Sequence, residues 1–163
     1  MELSEMSVEL LSTPIQVGKK MAPNRIVNQP MECNDGDSSG NPTERTFQRY
    51  RSLAEGGAGI IIVESLTINY ESRSRKNQLK ISEETAKDFE RLVKEMREIN
   101  PKSLILFQIN HSGRVSGAAF SKVVSLYTTG DPNVHILTEE EIEEVGDRFV
   151  KAAVVARQAG ADG

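Results

Sequence analysis

At 163 residues and 18.0 kDa the chain has room for one domain around a single sizeable core. Twenty Lys and Arg stand against 24 Asp and Glu, and the net charge of −4 with no dense basic run argues against nucleic acid as the main partner. No apolar stretch approaches the ~20 residues that span a bilayer. The acidic start, Met1 to Met6, is unlike an export signal, and the single Cys33 suits a reducing cytoplasm.

Residues 1–13 carry little pattern and read as an arm. Pro14 to Val27 reads as short extended pieces about a turn at Ala22-Pro23-Asn24. Arg25 to Met31 predicts a short buried strand that ends at Pro30, because proline has no amide proton to give a ladder. Asn34 to Pro42 is a loop of turn-forming residues. Phe47, Tyr50, Leu53 and Ala54 recur at helical spacing, so Thr43 to Glu55 reads as a helix stopped by Gly56-Gly57.

Gly59 to Ser65 follows as a continuous apolar run closed by Glu64-Ser65, the pattern of a strand buried on both faces. Ser82 caps a second helix over Glu83 to Asn100, with Ala86, Phe89, Leu92, Val93, Met96 and Ile99 as its stripe and Pro101 as its stop. Ser103 to Asn110 reads as a third buried strand. Thr138-Glu-Glu-Glu141 opens a third helix by a capping box, with Ile142, Val145, Phe149, Ala152 and Ala156 inward and Gly160 at its close.

Strand and helix alternate three times, which defines an α/β protein with parallel strands joined by helical crossovers. An open doubly wound sheet and part of a barrel both fit. Polar residues at the carboxyl ends of all three strands (Asn28-Gln29, Glu64-Ser65, Gln108 with Asn110) lean toward the barrel, whose chemistry sits on that face.

Three stretches in this order, Arg25-Ile-Val-Asn-Gln-Pro-Met31, Gly57-Ala-Gly-Ile-Ile-Ile-Val-Glu64 and Gln108-Ile-Asn-His-Ser-Gly-Arg114, resemble the Old Yellow Enzyme family. These are FMN-dependent NAD(P)H:flavin oxidoreductases, including the 2,4-dienoyl-CoA reductase and 2-enoate reductase branch. Ala159 to Gly163 resembles the family's lead-in to a fourth strand. The resemblance implies that residues 1–163 are the N-terminal part of an FMN-binding (β/α)8 TIM barrel, about three βα units. It also implies hydride transfer from NAD(P)H through FMN to a small-molecule acceptor with an activated carbon–carbon double bond.

Residue by residue, the resemblance places the main chain of Gln29, Pro30 and Met31 along the flavin, the small Ser65 beside the ring, and the Gln108 amide on the pyrimidine edge. An amide donates and accepts, as that edge does. Glu32, His111 and Arg114 would lie near the flavin, and a cation at Arg114 would favour its anionic reduced form. Two positions depart from the pattern. Glu32 stands where relatives often carry Thr, Cys or His, and a carboxylate there disfavours an anionic flavin unless it is protonated or turned away. Cys33 is one position late for the family's cysteine. A complete barrel takes about 250 residues. The family's substrate-binding His/Asn pair belongs to its fourth strand, so no catalytic residue is assigned here.

Other motifs read more plainly. Asp35 to Gly40 imitates the start of a calcium loop, but Thr46 stands where a bidentate Glu is needed. Two distant histidines and one cysteine make no metal set. Arg73, Arg75, Lys76 and Lys80 form a basic patch that suits either a phosphorylated substrate or a solvated loop. Two other functions stay open: a non-catalytic barrel fragment acting through self-association, and another flavin- or phosphate-binding barrel enzyme. Open sheet edges lead us to expect a homo-oligomer.

Overall fold

The computed structural model describes residues 5–163, so the first four residues of the expected arm lie outside it. The rest of that arm is a short helix, α1 (Glu5–Leu11). Next comes a hairpin of β1 (Ile15–Val17) and β2 (Lys20–Ala22), which turns on Gly18 at φ 59. The turn therefore precedes the expected one at Ala22-Pro23-Asn24. A two-residue hairpin loop needs positive φ at its first position, and glycine supplies it at no steric cost.

The main sheet is parallel, in the order β3 (Val27–Asn28), β4 (Ile60–Thr67), β5 (Leu104–Asn110). The connections between its strands contain α2 (Glu44–Glu55) and α3 (Ala86–Ile99), and α4 (Glu139–Gln158) follows β5. α3 starts later than expected, because a 3₁₀ turn over Glu83–Thr85 intervenes after Ser82. Between β5 and α4, β6 (Val124–Ser125) and β7 (His135–Ile136) form a small parallel pair that periodicity did not reveal, since two residues carry no period.

The two faces of the sheet are covered unequally. Ile61, Val63, Leu66 and Ile68 of the β4 region and Ile105 and Phe107 of β5 pack with Phe47, Tyr50, Phe89, Leu92, Met96 and Ala156 of the helices. Ile60 and Leu104, with Ile62 and Leu106, pack on the other face against Ile15, Val17 and Ala22 of the hairpin. The hairpin thus plugs the amino-terminal end of that inner face.

Two expectations change. The strand at 25–31 shrinks to Val27–Asn28 and is not buried: Ile26 and Val27 are exposed, because β3 is an edge strand with only one neighbour. Only part of the expected α4 stripe reaches the core: Ile142 and Phe149 are exposed, Val145 packs at the core's margin, and Ala152, Val155 and Ala156 are buried. The closing segment does begin a further rung. The Asp162 amide donates to the Ile105 carbonyl at 2.7 Å, and the Phe107 amide donates to the Gly163 carbonyl at 3.0 Å. Among the described residues no helix is long and apolar enough to cross a membrane.

Candidate active site

Because β3, β4 and β5 are parallel, their carboxyl ends share one rim. Which side chains reach the inner face there depends on parity. On β5, Leu104 and Leu106 face inward, so Gln108 does too. Its side chain is exposed and makes no hydrogen bond among the described residues. On β4 the alternation is reset. Val63 pairs with Phe107 and Leu66 with Ile109, which leaves Glu64 and Ser65 opposite Gln108 alone. This β-bulge adds one residue and shifts every later side chain to the other face. Ile61 and Val63 before it face the helices, as do Leu66 and Ile68 after it. Ser65 consequently joins the inner face beside Gln108. A regular strand would have sent it into the helix layer.

The bulge also explains a polar cluster beneath the rim. The Glu64 amide donates to Tyr50 Oη at 2.7 Å. The Glu64 carboxylate is fully buried, pairs with Arg49, and accepts the Cys33 amide at 3.2 Å. Arg49 Nε bonds Asp35 at 2.9 Å, Thr46 Oγ1 donates to Asp35 at 3.0 Å, and the Arg49 guanidinium lies 4.5 Å from the Tyr50 ring centre. Burial pushes the Glu64 carboxyl above its usual range against the pull of Arg49, and burial likewise raises the Tyr50 phenol. Burial alone would lower Arg49, but the Asp35 bond and the Tyr50 and Glu64 charges hold it well above its ordinary value. Arg49 was not singled out from the sequence, and Glu64 and Asp35 were read there only as a polar strand end and as the start of a loop that imitates a calcium site. The available signal was a charged residue closing an otherwise apolar run, since a buried carboxylate requires a partner.

The segment after β3 is fixed at its far end and open at its near end. The Met31 amide donates to the Gln29 carbonyl at 2.9 Å, a three-residue turn centred on Pro30. Two main-chain groups that the flavin reading leaves free are therefore engaged locally. Gln29 is exposed, and Met31 is 72% exposed. From Glu32 to Asn34 each residue is held. Glu32 accepts from Ser74 Oγ at 3.0 Å and meets Arg75 Nε at 3.0 Å, and the buried Gln78 amide bridges it to the Ser65 carbonyl. Asn34, at φ 54, accepts from the Asn77 amide at 2.7 Å. Cys33 is exposed, and burial pushes its thiol up, so it is protonated at neutral pH.

His111 is half-buried and lines a cavity of about 100 Å³ with Asn69, Lys122, Glu144 and Arg148. Burial first, then the Arg148 charge, pull its pKa down, which leaves it neutral at pH 7. Arg114 donates to Tyr127 Oη at 2.6 Å and is exposed. The structure thus sets Ser65 and Gln108 side by side at the rim onto which Gln29 to Met31 lead, with Glu32 turned onto the loop at 74–78. His111 faces α4, and Arg114 is engaged with Tyr127. The basic patch is mostly compensated: Arg75 by Glu32, Lys80 by Glu84 at 3.4 Å, and Arg73 by the Tyr70 and Phe120 rings at 3.7 and 5.2 Å. Asp35 and Asp37 bond within the protein, Asp37 accepting the Ser39 and Asn41 amides at 2.7 and 2.9 Å.

Three parallel strands with helical crossovers, a hairpin plug at one end and polar side chains at the other define part of a TIM barrel, a fold whose sites lie on the carboxyl rim. The family model for the NADH:flavin oxidoreductase / NADH oxidase family matches residues 10–163, and the chain belongs to that family. An NADH oxidase of Thermoanaerobacter brockii is 31% identical over 159 residues, 91% of this chain and 24% of that protein. An NADH:acrylate oxidoreductase of Vibrio harveyi is 33% identical over 150 residues, 86% of this chain and 14% of that protein. The crystal structure of Old Yellow Enzyme from Pichia sp. AKU4542 superposes with a TM-score of 0.82 at 22% identity, over 94% of this chain and 44% of that one. The chain spans less than half the length of each of these proteins.

Proposed function

We propose that the chain forms the first three βα units of an FMN-dependent oxidoreductase, a partial FMN-binding barrel domain. In it, hydride passes from NAD(P)H through the flavin to the activated carbon–carbon double bond of a small enone, enoate or enoyl-CoA acceptor. The observation that carries the reading is the unpaired Gln108 amide on the inner face beside Ser65, where the β4 bulge leaves a small side chain next to an open rim. An unpaired amide at that point suits a ring edge that donates and accepts. Bound FMN would supply a two-electron carrier whose hydride affinity its surroundings adjust.

The residues divide the work. Gln108 orients the ring by its edge. Ser65 leaves room for it. Gln29, Pro30 and Met31 flank it, and Met31 adds an exposed apolar surface. The acrylate named for the Vibrio harveyi relative is an activated alkene, which supports that acceptor class. Gln108→Ala tests the reading. Its side chain is exposed, so stability should stay within about 0.5 kcal/mol of wild type. One lost hydrogen bond is worth about 0.5–1.5 kcal/mol, so FMN affinity should fall about threefold to tenfold in a flavin-fluorescence titration. Wild-type protein that takes up no FMN, or a Gln108→Ala protein that holds it as tightly, would overturn the assignment.

A further inference from the structure

Glu32 directly follows Met31, the last flavin-flanking residue of the functional reading, and the structure shows what this chain does with it. A carboxylate next to the flavin-flanking Met31 would repel negative charge building on a reduced ring, since two like charges in a partly dry site repel more strongly than in water. Here the carboxylate is turned onto the loop at 74–78. Its side chain is 17% exposed, and Arg75 Nε stands 3.0 Å from Oε2. Ser74 Oγ lies 3.0 Å from the same oxygen. Gln78 Nε2 lies 3.4 Å from Oε1.

Gln78 is what makes this arrangement specific. It is fully buried, and its amide nitrogen also bonds the Ser65 carbonyl at 3.0 Å, while its oxygen accepts the Ser74 amide at 2.9 Å. One side chain thus couples the carboxylate after Met31, the strand that carries Ser65 and the loop that carries Arg75. Arg75 itself is 58% exposed and has Glu32 as its only ion-pair partner among the described residues.

We infer that Arg75 tunes the flavin through Glu32: it holds the carboxylate on the loop at 74–78, turned from the ring, and so stabilises the reduced, anionic cofactor. Arg75 is a positioning and charge-compensating residue, not a catalytic one. The inference rests on the FMN reading above, and it adds a residue some forty positions away from the strand end it serves. An exposed arginine can be removed without unfolding the protein, which separates this role from a structural one.

The test is the flavin reduction potential, measured by dye equilibration on the FMN-loaded protein. Arg75→Ala should move it to a more negative value, with the thermal midpoint of the apoprotein unchanged. Glu32→Gln should move it to a more positive value. Arg75→Ala placed on the Glu32→Gln background should cause little further shift, because no carboxylate remains to swing toward the ring. Arg75→Lys should restore most of the wild-type value. An Arg75→Ala shift of equal size on both backgrounds would show that Arg75 acts as a general surface charge and would overturn the coupling, as would no shift at all. Wild-type protein that binds no FMN would overturn this inference together with the functional reading, whereas an FMN-loaded protein with an unmoved potential would overturn this inference alone.

Discussion

Arg49 is shared by two carboxylates that water barely reaches: the side chains of Asp35 and Glu64 are 1% and 0% exposed. Removing one partner of a buried charge pair strands the other and costs about 3–5 kcal/mol. Arg49→Met, which keeps the apolar stem, should therefore lower unfolding free energy by about that amount in a urea titration. The loss should depend on pH with a definite sign. Burial already raises the Glu64 carboxyl against the pull of Arg49, and without Arg49 it rises further. The folded variant then binds a proton that the unfolded chain releases, so stability falls as pH climbs above the ordinary carboxylate range, and the deficit is smallest in acid. A deficit independent of pH would assign the loss to packing. At this scale the sequence was legible where a polar residue interrupts an apolar run, as at Ser65 and Gln108. It was silent on Arg49, because a helical arginine shows its depth only once the neighbouring strand is in place.

The elements with strong periodicity were read to within a residue or two, since α2, β4, β5 and the start of α4 each announce themselves by a stripe, an unbroken apolar run or a cap. What escaped was set by neighbours. β3 is short and exposed because it pairs on one side only, and no local pattern encodes a missing neighbour. The β4 bulge escaped because two residues opposite one is a property of the pair. Asp162 belongs to this scale too. It accepts from Lys20 at 2.5 Å, from Arg97 at 2.8 Å and from the Ile105 amide at 2.8 Å, and so fastens the segment after α4 to both β5 and the hairpin. Burial works to raise its carboxyl, but those three donors prevail and hold it below the usual range. A depressed folded pKa adds stability above the unfolded value that disappears as pH falls through the folded one. Asp162→Asn should therefore be less stable than wild type at neutral pH, by about 1–3 kcal/mol for lost bonds to a charged group. The two proteins should converge in acid, below the ordinary carboxylate range. Urea titrations at neutral and acid pH check this, and parallel curves would mean that Asp162 stays ionised or contributes nothing.

For the molecule as a whole, one face of the parallel sheet carries the helices and the other has only a hairpin at its base, so the rim that holds Ser65 and Gln108 opens on a surface without a cover. The outer side of β3 adds unpaired backbone flanked by Ile26 and Val27, which are 49% and 39% exposed. A parallel sheet is normally buried on both faces, and an uncovered apolar edge strand is a template for another chain. The 163-residue chain by itself should therefore associate with itself in a concentration-dependent way. Light scattering behind size exclusion should give a mass above 18.0 kDa that grows with loading. Replacing Ile26 and Val27 together with Lys places charge along the open edge, a device by which edge strands avoid pairing. The double variant should return the mass toward that of one chain while keeping its helical signal, because neither side chain is in the core. A monomeric wild type would mean that the hairpin and the segment at Ala161 to Gly163 cover the sheet well enough alone. An assembly indifferent to the two lysines would shift the contact to the exposed stripe of α4 at Ile142, Phe149 and Val150.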